Sequence, residues 1–354
     1  MIILRILFYP FIVLYGLCLL IRNKLFDLHI IPSYSFSFPV ISVGNLTVGG
    51  AGKTPLIEYL ILLLKDKYRV AVLSRGYKRK SRGFLLVDAN STSERVGDEA
   101  LQIKRKFSGI TVAVDVNRIR GINLLKENFP EIDVILLDDA FQYRSVKPGL
   151  SILLTDFHNL YPRDHLFPFG TLREPTIGYK RADILMVTKT DRIFSPLTQQ
   201  NIIEEIKPKP YQSCYFSYLV YGNLLPLTIK ARYESEFRKK KLNSVLLVTG
   251  IANPYPIHDH LNKLCNELVT ITFADHHKYS TKDVYKIKEV FENIHSKNKL
   301  VITTEKDSIR LQKTELLEIL SGIPVYYLPI QMEIHKSHGI TFNERVMEYV
   351  GRYK

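Results

Sequence analysis

The sequence predicts an α/β protein built on a mostly parallel sheet, and two observations carry that reading. Short runs rich in Val, Ile and Leu recur between helix-length stretches: FPVISV (38–43), RVAVLS (69–74), IDVILL (132–137), LSILLT (150–155) and ADILMV (182–187). Such runs suit strands that are covered on both faces. The first of them leads into GNLTVGGAGKTP (44–55), which is followed by the apolar stretch PLIEYLILLL. Strand, glycine loop and helix in that order make a seat for phosphate.

Within the loop, Gly49, Gly50 and Gly52 let the backbone turn its N–H groups toward an anion, and a helix starting near Lys53 adds its positive end. Lys53 suits the β- and γ-phosphates, and the Thr54 hydroxyl suits Mg²⁺. Thr47 stands where the usual GxxxxGK[ST] pattern has its first glycine, so this is a deviant form of the pattern. Such sites also need an acid at a strand end to hold the metal. IDVILLDDAFQ supplies Asp138 and Asp139. An acidic pair after a strand is often a helix cap, but downstream of a phosphate loop the metal reading is the stronger. Ligands gather beyond the carboxyl ends of parallel strands. That edge carries residues 44–54, 75–77, 138–139 and 188–191.

Composition sets the outer bounds. At 354 residues the chain has room for two domains, and its 46% apolar and 24% charged content implies packed cores. A formal charge of +14 favours polyanionic partners. The basic runs YKRKSR (77–82) and RKKK (238–241) lack interleaved aromatics, which argues against nucleic acid. Cys18, Cys214 and Cys265 are far apart, which excludes a disulfide scaffold and suits a reducing compartment. Residues 6–21 carry no charge, with Arg5 before them and Arg22 and Lys24 after. That is borderline against the roughly 20 residues of a spanning helix. Pro10 weakens a straight helix, and no small-x-small cleavage site follows. The segment is expected to lie in a membrane leaflet as a monotopic helix, with a single span or a buried core helix as the alternatives.

Two functions compete. VTKTD (187–191) resembles the [NT]KxD motif that reads guanine, and supports a membrane-associated GTPase switch. GTPases normally carry DxxG after the acidic strand. Here Phe141 and Gln142 stand three residues after Asp138 and Asp139, so the switch glycine is missing. A phosphotransferase instead needs a base beside the acceptor hydroxyl and positive charge around the phosphoryl group. Asp98 in VGDEALQIKRKF and the Asp275, His276, His277 run in FADHHKYS are candidates. On spacing alone, the first is equally an N-cap and the second a surface loop.

Taken in order, GNLTVGGAGKTP, SRGYKRK, GDEA, DDAFQYR, LREP (172–175), TGIANP (249–254), FADHHKY and TEKD (304–307) resemble the tetraacyldisaccharide 4'-kinase (lipid A 4'-kinase) family of the P-loop NTPase superfamily. The family's loop also lacks the first glycine. The resemblance implies transfer of the γ-phosphate of ATP, with Mg²⁺, to the 4'-hydroxyl of a tetraacylated glucosamine disaccharide 1-phosphate, giving lipid IVA. The expected setting is the cytoplasmic leaflet of the inner membrane; the expected state is a monomer. The implied fold is a P-loop α/β domain joined to a smaller α/β domain by a two-stranded hinge. In this chain that gives a membrane-associated helix at 1–30, a kinase core at 31–213 and hinge strands at 214–222 and 324–330. The smaller domain would take 223–323 and a C-terminal segment 331–354.

Residue by residue, Thr47, Val48, Gly49, Gly50, Ala51, Gly52, Lys53 and Thr54 match the family's ATP loop. Asp98 matches its general base and His276 that base's partner, with Asp139 a second candidate for the proton. Thr54, Asp138, Asp139 and Glu174 match the metal shell. Arg173 matches a cation at the phosphoryl group, and Arg75 and Arg118 match cations around the acceptor. Two positions depart from the family's more frequent DDGFQHR: Ala140, a small change, and Tyr143, which replaces an imidazole by a phenol.

Overall fold

The five apolar runs are strands, and they lie side by side. The structure is a computed structural model that describes residues 2–233, 242–296, 298–337 and 339–353, with the backbone alone for 2–12. The basic run RKKK (238–241) lies outside the described residues. The chain divides into two units, Met1–Val220 with Gln331–Lys354, and Tyr221–Ile330.

In chain order the strands of the first unit are β1 (Val40–Asn45), β2 (Val70–Ser74), β3 (Leu85–Leu86), β4 (Thr111–Val114), β5 (Val134–Asp138), β6 (Leu150–Asp156), β7 (Ile184–Thr188) and β8 (Ser213–Tyr221). The second unit adds β9 (Leu225–Pro226), β10 (Leu242–Thr249), β11 (Cys265–Thr272), β12 (Lys299–Thr304) and β13 (Val325–Leu328), and β14 (Ile330–Ile334) rejoins the first sheet. The large sheet runs β14-β8-β7-β6-β1-β5-β2-β4-β3. It is parallel from β8 through β4, and β3 pairs antiparallel to β4. Strands β1, β2, β5 and β7 are buried along their whole length, because apolar clusters cover both faces. One cluster includes Leu46, Phe141, Leu153, Leu185 and Ile202. A second, on the same face, includes Leu73, Ala113, Ile122, Leu125 and Ile135, and the opposite face carries Ile41, Val72, Leu136, Ile152 and Met186, all buried. Mixed α/β architecture on a mostly parallel sheet is thus what the apolar runs form.

Register then positions the chemistry. Val43 of β1 lies beside Asp138 of β5, so the acidic pair begins where the glycine loop begins. In the second unit SVLLVTG, LVTITF and KLVITTEKD supply β10, β11 and β12 of a five-stranded sheet ordered β11-β10-β12-β13-β9. Its core combines Leu246, Val248, Val284 and Val301 on one side with Val245, Leu247, Ile257 and Ile302 on the other.

The N-terminal helix α1 (Ile2–Asp27) continues through Pro10, where a weakening is expected. Its end is held by Arg144 of DDAFQYR. That side chain donates to the Asn23 carbonyl (2.7 Å), pairs with Asp27 (2.6 Å) and lies over the Phe26 ring (5.1 Å). The Tyr15 hydroxyl donates to the Arg173 carbonyl at 3.2 Å. Val13, Leu14, Leu17, Leu20 and Ile21 stay exposed. Among the described residues no helix is long and apolar enough to cross a membrane.

The last helix, Phe342–Gly351, starts with a reciprocal capping box between Thr341 and Glu344. Its Tyr349 hydroxyl accepts from the Val40 N–H (3.0 Å) and donates to the Val40 carbonyl (3.2 Å), which stitches the chain's end to β1. Tyr349→Phe leaves both buried main-chain groups without that partner. The change is expected to lower unfolding free energy by about 1–2 kcal/mol, read from a denaturant midpoint.

Candidate active site

Strand β1 delivers the chain to the glycine loop under tight constraint. A β-carbon added to Gly44 would lie 2.6 Å from the Phe141 Cβ, so only glycine fits there. The loop does not curl at once. Val48 N–H donates to the Thr171 carbonyl (2.6 Å), Arg173 N–H donates to the Leu46 carbonyl (2.7 Å), and Thr47 bridges Leu172. An extended residue needs no glycine, which accounts for Thr47. Its hydroxyl accepts from Asn45 Nδ2 at 2.8 Å. The curl comes later, at Gly49 (φ +117°) and Gly52 (φ +85°), in a region of φ that side chains strain to reach. Helix α2 (Lys53–Leu64) follows directly.

Asn45 ties this loop to its lysine. Nδ2 also donates to the Thr47 carbonyl (2.9 Å), and Oδ1 accepts from Lys53 Nζ (2.9 Å). The Asn45 carbonyl accepts from Gln142 Nε2 (2.7 Å), which is also within 3.1 Å of the Glu174 carboxylate. Glu174 is wholly buried and accepts from Arg181 Nη2 at 2.8 and 3.0 Å. The sequence reading expects Glu174 in the metal shell. Here its carboxylate is paired with Arg181 and also contacts Gln142.

The acidic pair is split by its surroundings. Asp139, in a turn at φ +48°, sits between Lys53 Nζ (3.2 Å) and Arg173 Nη1 (3.0 Å). Burial pushes its pKa up, but the two cations outweigh this and hold it below the usual carboxylate range. Asp138 is buried and accepts from the Ser74 hydroxyl at 2.9 Å. Burial first, then the charges of Glu99 and Asp139, push its pKa up to about 7. Arg118, expected at the acceptor, is buried: it donates to the Asp138 carbonyl (2.8 Å) and to that of Asp115. Its guanidinium supports the acidic turn from behind. Burial brings its pKa down to about 10, so it stays charged.

Other expected residues flank this centre. Arg75 is exposed after β2. Asp98 opens the helix Asp98–Lys106. A β-carbon on Gly97 would lie 3.0 Å from the Gly76 Cα, and this close approach sets the start of that helix against the turn after Arg75. The Tyr143 hydroxyl donates to Asn117 Oδ1 at 3.3 Å. Asn117 in turn caps the helix Arg118–Asn128 by accepting from the Arg120 N–H. Three VTKTD side chains, those of Thr188, Lys189 and Thr190, have structural partners. Thr188 donates to the Ala51 carbonyl of the loop (2.9 Å), Lys189 pairs with Asp156 (2.6 Å), and Thr190 contacts His335 (2.8 Å).

His276 belongs to the second unit. It follows β11 at φ +60°, with its N–H on the Gly250 carbonyl (3.1 Å) and Arg310 on Nδ1 (3.1 Å). Its neighbour His277 is structural: the ring stacks on Phe273 at 4.5 Å and contacts Asp283, which closes a capping box with Ser280.

Sequence reasoning missed Asn45, Ser74, Glu99 and Gln142. Asn45 and Ser74 had a readable signal, a polar residue closing an otherwise apolar strand. Asn45→Ala releases both the loop and Lys53. It is expected to cut kcat/KM for nucleotide by about 10- to 100-fold, through misplacement and not unfolding; steady-state kinetics beside a melting curve check this. Glu174→Gln is expected to cost about 2 kcal/mol of stability and to leave the Mg²⁺ concentration for half-maximal activity unchanged. A Mg²⁺ titration of that variant separates support from metal ligation.

Comparison with known proteins agrees with this geometry. The family model described as tetraacyldisaccharide-1-P 4'-kinase matches residues 4–348. A tetraacyldisaccharide 4'-kinase of Bacteroides thetaiotaomicron is 46% identical over 350 residues, covering 97% of this chain and 92% of its own. That of Parabacteroides distasonis is also 46% identical, with 96% and 93% covered. Among solved structures, LpxK from Aquifex aeolicus in complex with ATP superposes with a TM-score of 0.72 at 28% identity, covering 99% of both chains. These matches do not favour the GTPase alternative. The chain belongs to the tetraacyldisaccharide 4'-kinase family.

Proposed function

We propose that this enzyme transfers the γ-phosphate of ATP to the 4'-hydroxyl of tetraacyldisaccharide 1-phosphate, in lipid A biosynthesis. The observation that carries the reading is the ion cluster of Lys53, Asp139 and Arg173 at the end of the glycine loop, in a family whose Aquifex member binds ATP with the same fold. The loop residues 47–54 take ATP, with the main-chain N–H groups of the turn that begins at Gly49 facing its phosphates. Lys53 and Arg173 then exchange part of their pairing with Asp139 for the transferring phosphoryl group and spread its charge.

The residues present fit Mg²⁺. Asp138 is a buried carboxylate crowded by two other acids, and that excess of negative charge suits a cation. Mg²⁺ takes one or two carboxylates beside substrate phosphates. Asp138 and the Thr54 hydroxyl would hold it, and when bound it neutralises charge on the phosphates. Asp139, kept ionised by its cations, is a weak base. This favours Asp98 as the group that takes the 4'-hydroxyl proton, with His276 as its partner. The chain passes between its two units at residues 220–221 and 330–331. This supports 214–222 and 324–330 as the hinge.

Location follows from the acceptor. Four acyl chains leave a bilayer at a cost of roughly 0.8 kcal/mol per CH₂, so the enzyme goes to the lipid. The exposed apolar residues of α1 support a monotopic seat on the cytoplasmic leaflet, where ATP is found. The reading takes the protein as a monomer. The test uses purified protein, γ-labelled ATP with Mg²⁺, and tetraacyldisaccharide 1-phosphate in detergent micelles beside a GTP control. Label is expected on the lipid with ATP alone, falling by at least about 100-fold in Asp98→Ala. Absence of transfer, with membrane-stimulated GTP hydrolysis, would overturn the proposal.

A further inference from the structure

His276 lies between two side chains that can only donate. We propose that Arg310, clamped by Asp307, is a positioning residue that fixes His276 in one tautomer, with the proton on Nε2. The inference rests on the reading of His276 as the partner of Asp98.

The argument is one of counting. A neutral imidazole has one N–H and one lone pair, while guanidinium and ammonium groups have no acceptor. Arg310 Nη2 stands 3.1 Å from Nδ1, and Lys306 Nζ stands 3.1 Å from Nε2. A single lone pair serves only one of them. Arg310 is the fixed competitor. It is buried, and its Nη1 donates to the Gly250 carbonyl (3.0 Å) and to Asp307 (2.9 Å). Asp307 is held in turn by the Gly250 N–H (2.8 Å) and the Thr304 hydroxyl (2.7 Å). Lys306 carries its ammonium on a flexible four-carbon stem. The lone pair therefore belongs to Nδ1 and the proton to Nε2, the nitrogen that has the Asp275 carboxylate 3.8 Å away.

The backbone enforces the same choice. The N–H of His276 donates to the Gly250 carbonyl, which Arg310 also engages. Ring and guanidinium thus share one anchor. A proton added to Nδ1 would point at a guanidinium that cannot accept it. The ring accordingly works as a donor through Nε2, orienting a carboxylate.

The test is a long-range ¹H–¹⁵N correlation spectrum of the full chain labelled at histidine nitrogens, in micelles, with His276 signals identified by their loss in His276→Gln. The wild type is expected to show a protonated Nε2 and a bare Nδ1. Arg310→Met is expected to lose that pattern and to lower kcat by roughly 10-fold with KM for ATP unchanged, while Lys306→Met keeps the pattern. A proton on Nδ1 or a tautomer mixture in the wild type overturns the proposal. So does an unchanged pattern in Arg310→Met. The wild-type spectrum decides even where Arg310→Met does not fold. A normal rate in His276→Gln would remove the partnership with Asp98 and leave the tautomer assignment standing.

Discussion

The nucleotide loop depends on one side-chain amide. Asn45 uses its carboxamide N–H groups on Thr47 and its carboxamide oxygen on Lys53, while Gln142 takes its main-chain carbonyl. Two residues, Thr47 and Lys53, are therefore set by one planar group, and a third, Gln142, by the main chain of the same residue. Glycine loops hold phosphate with main-chain N–H groups, and their weakness is their freedom. Here the freedom is confined to Gly49 and Gly52. The stretch before them is pinned as a strand against residues 171–173, and that pairing also delivers Arg173 to Asp139.

The same edge separates two adjacent carboxylates into different chemical states. Asp139 faces two cations; Asp138 faces a hydroxyl and two other acids. One residue of chain separates an ionised anchor from a carboxyl whose charge needs compensation. Asp139 takes a left-handed backbone conformation, and Lys53, which pairs with it directly, also acts on Asp138 but is outweighed there by burial. Arg118, behind the turn, holds its main chain.

Much of this was legible in the residues. Continuous apolar runs announce strands covered on both faces, and the strands at 40–45, 134–138 and 184–188 follow from that pattern alone. The loop, Lys53 and the acidic pair were readable because phosphate chemistry asks for those residue types at strand ends. Glu174 and Arg118 were not. Their charges are readable in one dimension but their partners are not: Arg181 pairs with one, and main-chain carbonyls accept from the other. Asn45 carried a signal, a polar residue closing an apolar strand, but not its role. An asparagine at a strand end reads as a turn, and its importance arises from what the fold brings to within 3 Å of it.

The Tyr15 hydroxyl rests on the carbonyl of Arg173, so a turn of α1 and the cation beside Asp139 belong to one rigid piece. With the apolar face of that helix on lipid, the distance from the headgroup plane to the reacting oxygen is set by the protein and not by diffusion. Turnover would then follow the mole fraction of acceptor within the surface, falling as inert lipid dilutes it at constant bulk concentration. Kinetics in two dimensions would be the signature of an enzyme held at the surface that carries its acceptor.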